Sequence, residues 1–168
     1  ITVSVLSNGS LLAQYNWIRY PNNPIMSGSG NGTWDKHVFL PSVVFNADSN
    51  RYEMWYTGSY GPEVSWLPYR IGFAWSPDGT NWTKHSNNPV LVPDLGTWDE
   101  ESVEMGCVIK DDGIYKMWYC GRGNNTSQLG YATSPDGITW TKYAGNPVLS
   151  AGTSSWEAGG VLWCCVLA

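Results

Sequence analysis

Three acidic side chains that lie close together are the first candidates for chemistry in this sequence. Glu100, Glu101 and Glu104 fall within one short stretch, TWDEESVEMG. Repulsion between neighbouring carboxylates can raise the pKa of one of them, and a general acid requires a raised pKa. The same cluster could instead bind a cation or face water. The spacing therefore indicates either an acid catalyst or a solvated acidic surface.

Aromatic side chains are concentrated in a second stretch, SYGPEVSWLPY. Its rings, Tyr60, Trp66 and Tyr69, could stack on the apolar faces of a sugar. Trp66 could equally pack as an anchor for its own loop. A shorter stretch, RGNNTS, follows the similar motif KMWYCG and begins at Arg122. We take Tyr60, Trp66, Tyr69 and Arg122 as candidate substrate-binding residues.

Composition excludes several other classes of partner. The formal net charge is −5, and the nine lysines and arginines are scattered, so no nucleic-acid groove is expected. The sequence has no apolar run long enough to cross a membrane. The four cysteines lack CxxC spacing and there are only two histidines, so we predict no metal site and no cofactor. Cys107 and Cys120 fall on consecutive predicted strands and could face each other. Localisation stays open, with an extracellular or periplasmic compartment favoured.

The elements that must position these residues come from an internal repeat. The segments WIRYPNNP, WTKHSNNP and WTKYAGNP begin at Trp17, Trp82 and Trp140. The heptapeptides SPDGTNW and SPDGITW form a second series, and EMWYTG and KMWYCG form a third. The tryptophan spacings of 65 and 58 residues give a period near 60. Repetition on this scale is typical of stacked or radially arranged supersecondary units.

Each unit predicts four short strands joined by turns, so the fold class is all-β. In Ser-Pro-Asp-Gly, proline presets the second turn position and glycine supplies positive φ, which indicates a tight turn between the third and fourth strands. Four-stranded antiparallel units in series are the plan of a β-propeller, here incomplete within one chain. We divide the single domain into a part-blade, two blades and the first strand of a further blade, at residues 1–26, 27–91, 92–149 and 150–168.

These motifs resemble five-bladed propellers of the arabinanase, xylosidase, invertase and levansucrase type of glycoside hydrolases and their mannoside-phosphorylase relatives. The resemblance implies a carbohydrate ligand, bound on the face where the links between blades emerge. In an antiparallel meander the turn between the third and fourth strands emerges on the opposite face, so we expect the SPDG turns to build the frame. Catalytic carboxylates in these families come from the innermost strands. The stretch Glu104-Met105-Gly106 matches the motif that contains the glutamate, which makes Glu104 the candidate general acid.

The resemblance is incomplete at the second carboxylate. Aligned by the repeat, the position of Glu104 holds Leu40 in the preceding unit and Leu162 in the following one, and Leu40-Pro41-Ser42 stands where the families have Asp-Pro-Ser. Glycoside hydrolysis needs two carboxylates. Three hypotheses remain: a carbohydrate-directed enzyme whose turnover is uncertain, a sugar- or protein-binding module without turnover, and a truncated hydrolase derivative. Asp35, Asp99 and Glu157 recur after each linking tryptophan, which favours a structural role for these three.

Counting the predicted strands also leads to an expectation about association. The first 26 residues would supply the third and fourth strands of one blade, and the last residues would supply only one strand. Such a chain leaves strand edges and apolar faces open to water, which favours pairing with another copy. We therefore expect a homo-oligomer, most simply a two-fold dimer.

Overall fold

The computed structural model describes residues 4–5, 11–12, 18–62 and 67–167 of the chain. Within those ranges the chain contains β-strands and no helix, in agreement with the all-β prediction. The strands, in chain order, are β1 Ser4–Val5, β2 Leu11–Leu12, β3 His37–Asn46, β4 Arg51–Ser59, β5 Arg70–Ser76, β6 Thr83–Lys84, β7 Ser102–Asp111, β8 Ile114–Gly123, β9 Thr126–Ser134 and β10 Thr141–Lys142.

The strands form two four-stranded antiparallel sheets, one for each complete repeat. The first, which we call blade 1, has the order β3-β4-β5-β6, and the second, blade 2, has the order β7-β8-β9-β10. Each sheet is a simple meander because every strand pairs with its neighbour in sequence. The short strands β1 and β2 pair with each other in a separate two-stranded sheet. The blade architecture predicted from the repeat is therefore confirmed.

The repeated SPDG motif forms the turn after the third strand of each blade. In blade 1, Asp78 accepts hydrogen bonds from the backbone N–H groups of Thr80 and Asn81, both at 2.8 Å. Gly79 has φ +78°, a left-handed conformation that glycine adopts without steric cost. In blade 2, Asp136 and Gly137 repeat this arrangement, with φ +76° at the glycine. The same hydrogen bonds and the same positive φ are needed in both turns, which explains why each blade contains the motif.

The main core lies between the two blades. Alternate side chains of β4, including the fully buried Trp55, point toward blade 2 and meet Tyr115 and Met117 of β8. The indole N–H of Trp55 donates to the carbonyl of Gly137 at 2.7 Å, so a turn of blade 2 is fixed on blade 1. β7 packs against β3, β4 and β5, which makes it the strand that joins the blades.

Strand register separates the two ends of each blade. Tyr52, at the start of β4, pairs with Ser76, which opens the first SPDG turn. Ser59, at the other end of β4, pairs with His37, which follows the link that enters the blade. The links and the β4–β5 loop therefore emerge at one end of the sheet and the SPDG turn at the other.

The two ends of the chain differ in how far they follow the repeat. The predicted fourth strand after Trp17 is not formed by the residues described there, and Ile18 is 90% exposed. At the other end, residues 161–167 form no strand ladder. They nevertheless occupy the place of a first strand, because the N–H of Val161 donates to the Ser127 carbonyl just as that of Val103 donates to the Tyr69 carbonyl. We call residues 161–167 the C-terminal segment.

The expectation that Cys107 and Cys120 face each other is wrong. Cys107 pairs with Trp118 and Cys120 pairs with Glu104, so the two cysteines lie at different positions along the β7–β8 ladder. Both thiols are free and contact carbonyl groups of the C-terminal segment instead of each other.

Candidate functional site

Register identifies the residues that occupy the same position in successive first strands. Glu104 pairs with Cys120, which follows the MWY motif of β8, and Phe39 pairs with Thr57, which follows the MWY motif of β4. The equivalent of Glu104 in blade 1 is therefore Phe39, and the alignment that placed Leu40 there is wrong by one residue. The cause is the link, since Phe39 is the fourth residue after Asp35 whereas Glu104 is the fifth after Asp99.

The same comparison supports the alignment of the C-terminal segment. Val161 makes the backbone contact that Val103 makes in blade 2, so the next residue, Leu162, is the equivalent of Glu104. The following residue is Trp163. Its backbone has φ +47°, and Leu40, the residue after Phe39, has φ +49°. Shared left-handed backbone at these two positions is independent support for the equivalence.

Glu104 is the carboxyl at the centre of the candidate site. It lies near the start of β7, at the end of the sheet where the links emerge, and is only 8% exposed. Burial raises the pKa of Glu104 above its ordinary value, while the indole N–H of Trp163 and the charge of Arg122 act in the opposite direction. The Trp163 Nε1 atom donates to Glu104 Oε2 at 3.2 Å. A buried carboxyl with a raised pKa is suited to donate a proton as a general acid.

Two of the predicted substrate-binding residues share the surroundings of Glu104. Arg122, on β8, acts electrostatically on Glu104 and donates from Nε to Glu101 Oε2 at 3.0 Å. Tyr69 precedes β5, and both its own burial and the charge of Glu104 raise its pKa. Its ring meets the ring of Phe39 edge to face, with centroids 5.5 Å apart. One carboxyl, one guanidinium and one phenol therefore meet at the boundary between the blades.

Tyr60, another predicted substrate-binding residue, pairs with an arginine. Tyr60 follows β4, and its hydroxyl accepts a hydrogen bond from Arg70 Nη1 at 3.1 Å. The Arg70 guanidinium also lies 5.5 Å from the centroid of the Tyr60 ring. Trp66 lies outside the described residues. The long aromatic loop therefore provides a second arginine–tyrosine pair at the same end of blade 1.

The carboxylates that recur in the links have a structural role in both blades. Asp35 is 2% exposed and forms an ion pair with Lys84 of β6 at 2.6 Å. Asp99 is 1% exposed and pairs with Lys142 of β10 at 2.7 Å. A buried tyrosine hydroxyl completes each set, Tyr56 at 3.4 Å in blade 1 and Tyr119 at 3.0 Å in blade 2. We call each set a clasp, because it ties the link that enters a blade to the last strand of that blade.

The structural role of the Asn-Pro motifs was not predicted from the sequence. The Asn88 side chain accepts from the N–H of Phe73 and donates to its carbonyl, both at 2.8 Å, so it extends the sheet beyond β6. Asn146 does the same for Tyr131 in blade 2. The repeated letters were the available signal, because a position that recurs with a polar side chain commonly satisfies backbone groups. Trp163 was also missed, since nothing local connects it to Glu104.

An apolar cavity of about 260 Å³ lies on the other side of blade 1. Its lining contains no charged residue and consists of Asn23, Pro24, Ile25, Met26, Val38, Phe39, Pro41, Met54 and Tyr56. That lining is typical of packing between sheets and not of a sugar site. Among residues 18–62 and 67–167, no three His, Cys, Asp or Glu side chains are grouped to hold a metal ion. No helix in the part of the chain that is described is long and apolar enough to span a membrane.

Meandering four-stranded antiparallel blades are a feature of the propeller folds of glycoside hydrolases. Residues 18–154 match the family model described as beta-1,4-mannooligosaccharide phosphorylase. This match covers most of the chain, which therefore belongs to glycoside hydrolase family 130. The family acts on mannosides and is one of the mannoside-phosphorylase relatives named in the resemblance, not one of its arabinanase or levansucrase members.

Curated relatives agree with this assignment. An uncharacterized protein of Mycobacterium tuberculosis is 31% identical over 121 residues, which are 71% of this chain and 39% of that protein. A 1,2-beta-oligomannan phosphorylase of Thermoanaerobacter sp. is 26% identical over 131 residues, which are 74% of this chain and 43% of the enzyme. The chain thus spans about two fifths of the length of these relatives.

Solved structures share the fold at lower sequence identity. A glycoside hydrolase superposes with a TM-score of 0.66 at 21% identity, over 82% of this chain and 41% of the other. The beta-1,2-mannobiose phosphorylase from Listeria innocua superposes with a TM-score of 0.57 at 20% identity, over 69% of this chain and 33% of the enzyme. At these identities the likeness shows the fold alone.

Proposed function

We propose that this chain forms part of a β-mannoside phosphorolysis site in which Glu104 is the general acid. One observation carries the proposal: Glu104 is a buried carboxyl near the start of β7, with a raised pKa and within the electrostatic reach of Arg122. Family membership supplies the substrate class. Glu104 would protonate the glycosidic oxygen as the bond to the anomeric carbon breaks.

The neighbouring first strands provide no carboxylate at the position of Glu104, which favours phosphorolysis over hydrolysis. A hydrolase needs a second carboxylate to activate water or to attack the sugar, yet Phe39 and Leu162 occupy the equivalent positions of the neighbouring strands. Inorganic phosphate brings its own nucleophilic oxygen. It forms the new bond to the anomeric carbon, while the proton of Glu104 goes to the departing sugar hydroxyl. The products are mannose 1-phosphate and the shortened saccharide.

Phosphorolysis also requires positive charge for the phosphate. Arg122 acts on Glu104, and its Nη2 atom donates to Asn125 Oδ1 at 3.0 Å. These contacts hold the guanidinium in a fixed orientation. Arg70 lies at the same end of blade 1, at the start of β5. A planar guanidinium binds phosphate through two parallel hydrogen bonds, which makes Arg122 the candidate for the first phosphate contact.

The first prediction concerns turnover. Purified protein is incubated with β-1,4-mannobiose or β-1,2-mannobiose, with and without inorganic phosphate, and both mannose 1-phosphate and mannose are quantified. We expect mannose 1-phosphate only when phosphate is present. Glu104→Gln should abolish it and leave the melting temperature within a few degrees of wild type, because the amide has the shape of the protonated acid.

Glu100→Gln is the matched control for this experiment. Glu100 belongs to the same acidic cluster, but its carboxylate accepts from the N–H of Gly96 in the link, so its removal should leave turnover unchanged. Equal turnover in Glu104→Gln and wild type would contradict the role of Glu104. Release of free mannose without phosphate would contradict phosphorolysis.

A binding function without turnover is the second candidate. It is favoured by Phe39, which puts an apolar ring where a neighbouring blade could have offered a carboxylate. Under this alternative, titration calorimetry detects mannobiose binding, whereas no product forms with or without phosphate. The binding isotherm and the product assay on one sample therefore distinguish the two functions.

A further inference from the structure

Trp163 combines three properties that are seldom found together in one tryptophan. Its side chain is 60% exposed, although tryptophan is usually well covered in folded proteins. Its backbone has φ +47°, which is uncommon for a bulky residue and which places the ring differently from its strand neighbours. Its indole N–H nevertheless makes a defined contact with the buried Glu104 carboxyl at 3.2 Å. One edge of the ring is thus fixed while much of its surface stays open.

The C-terminal segment that carries Trp163 is anchored on both sides of it. Before Trp163, the Val161 N–H donates to the Ser127 carbonyl at 2.9 Å, and Gly160 forms a parallel bridge with the same Ser127. After Trp163, the Cys107 thiol donates to the Val166 carbonyl at 3.4 Å. These contacts determine where the ring lies without covering it.

The same backbone conformation has a different use at the equivalent position of blade 1. There Leu40 has φ +49°, and its side chain packs against the core between the blades. Trp163 instead directs its N–H to Glu104. Packing alone therefore does not explain the exposed ring of Trp163, because the equivalent residue packs on the core with a partly buried aliphatic side chain.

We propose that Trp163 is the positioning residue for Glu104 and the aromatic platform on which the mannose ring stacks at this site. The indole N–H holds one carboxyl oxygen and so fixes the direction in which the other can present its proton. The open face of the ring then lies beside the acid, where an apolar sugar face can cover it. This inference rests on the proposed mannoside site and names a residue that the site uses.

Other groups around Glu104 must be considered before its titration is used as a test. Arg122, on β8, favours the ionised form of Glu104. Tyr69, before β5, and Cys120, on β8, both feel the charge of Glu104, but burial raises the pKa of each, that of Cys120 to about 12. Both stay neutral over the range in which a carboxyl titrates. The charges of Tyr69 and Cys120 therefore do not change while Glu104 titrates, and a shift in its pKa can be attributed to the substitution at Trp163.

The first measurement needs no substrate. Glutamate carboxyl carbons are labelled with ¹³C, the Glu104 signal is assigned by its loss in Glu104→Gln, and the protein is titrated. A hydrogen bond to the carboxylate stabilises its charged form, so Trp163→Phe should shift the pKa of Glu104 upward. Trp156→Phe is the control, because Trp156 is an 82% exposed tryptophan just before the same segment and should cause no shift. An unchanged Glu104 titration in Trp163→Phe would overturn the positioning role.

The second measurement tests the platform by titration calorimetry with β-1,4-mannobiose. Trp163→Phe keeps an aromatic face and should bind within about threefold of wild type, whereas Trp163→Ala should bind about tenfold more weakly. Equal affinity of the Phe and Ala variants would overturn the platform. Failure of wild type to bind any mannobiose would refute the proposed function, while the carboxyl titration would still decide the contact between Trp163 and Glu104.

Discussion

Gly137 occupies a turn position with two separate constraints. Its φ of +76° favours glycine, and a Cβ atom there would come within 2.8 Å of Cζ2 of the Trp55 ring. Gly113, in the turn between β7 and β8, has nearly the same φ of +78°, but a Cβ atom at that position would meet no other atom within 4 Å. Comparing alanine substitutions at the two glycines therefore distinguishes the energetic cost of backbone strain from that of a steric clash.

The prediction from this pair concerns the free energy of unfolding. Gly113→Ala should cost about 1 kcal/mol, because alanine must adopt a left-handed conformation. Gly137→Ala should cost about 1 to 2 kcal/mol more, because Trp55 must move as well. Urea denaturation followed by tryptophan fluorescence measures both values. Sugar affinity should be unchanged in both folded variants, and a selective loss of affinity at full stability would show that the SPDG turn lies near the ligand.

Lys84 gives a second prediction at the scale of single residues. It pairs with the buried Asp35, and although burial works against the charged form, hydrogen bonds from Lys84 and Ser29 hold the pKa of Asp35 below its usual value. Removing one partner of a buried ion pair leaves the other uncompensated, so Lys84→Met should lower the free energy of unfolding by about 3 kcal/mol. The exposed pair of Lys116 with Asp111 is the control, and Lys116→Met should change stability little.

The pH dependence of stability provides a further readout for Lys84→Met. A carboxyl whose pKa is lowered on folding contributes stability at pH values above its unfolded pKa, near 3.8, and this contribution is lost as the pH falls through the folded pKa. In the wild type, acid should therefore weaken the clasp. Without Lys84, burial dominates at Asp35, so acid should no longer cost this contribution. If Lys84→Met lost as much stability at low pH as the wild type does, the result would contradict the ion pair.

At the scale of strands and loops, the sequence was sufficient to predict the structural features that depend on interactions between residues close in sequence. All eight strands of the two blades were expected from the repeats, because alternating side chains and the turn chemistry of SPDG act over a few residues. The structural role of Asp35 and Asp99 was also expected, because a residue that recurs in every repeat usually stabilises the structure of that repeat. Glu104 is buried near the start of β7, and its catalytic role stays a proposal.

Features that depend on register or on distant contacts could not be predicted in this way. The link before β7 is one residue longer than the link before β3, so counting from the tryptophan placed Leu40 where Phe39 belongs. The expected approach of Cys107 to Cys120 likewise depended on register, because Cys107 pairs with Trp118 and Cys120 pairs with Glu104. Trp163 meets Glu104 across 59 residues of sequence and through left-handed backbone, and no periodicity reports either property.

At the scale of the whole molecule, each blade exposes apolar side chains on the face that points away from the other blade, in the part of the chain that is described. Val43 and Phe45 on β3 are 47% and 50% exposed, and they point away from the core because the alternate residues face blade 2. On the far face of blade 2, Trp118 and Tyr143 flank Tyr131 in a row of aromatic contacts. These two faces are of the kind that meet between adjacent blades.

We expect a second copy of the chain to cover these faces in solution, most simply as a dimer. Phe45→Glu should shift sedimentation toward the monomer, because a charge would be buried at the contact. Leu95→Glu, which alters a 91% exposed residue in a link, should leave the sedimentation coefficient unchanged. A stable wild-type monomer at micromolar concentration would refute association.

The clasps also bear on how such a chain can be lengthened or shortened during evolution. Every member of a clasp lies inside one blade: Asp35, Tyr56 and Lys84 in the first, and Asp99, Tyr119 and Lys142 in the second. A DNA duplication that copies one repeat therefore copies a complete set of closing contacts, with no residue left to be supplied by its neighbour. Blade number can change by whole units without breaking a clasp. The contacts that new copies must evolve are those between blades, and the pair of Trp163 with Glu104 is one of them.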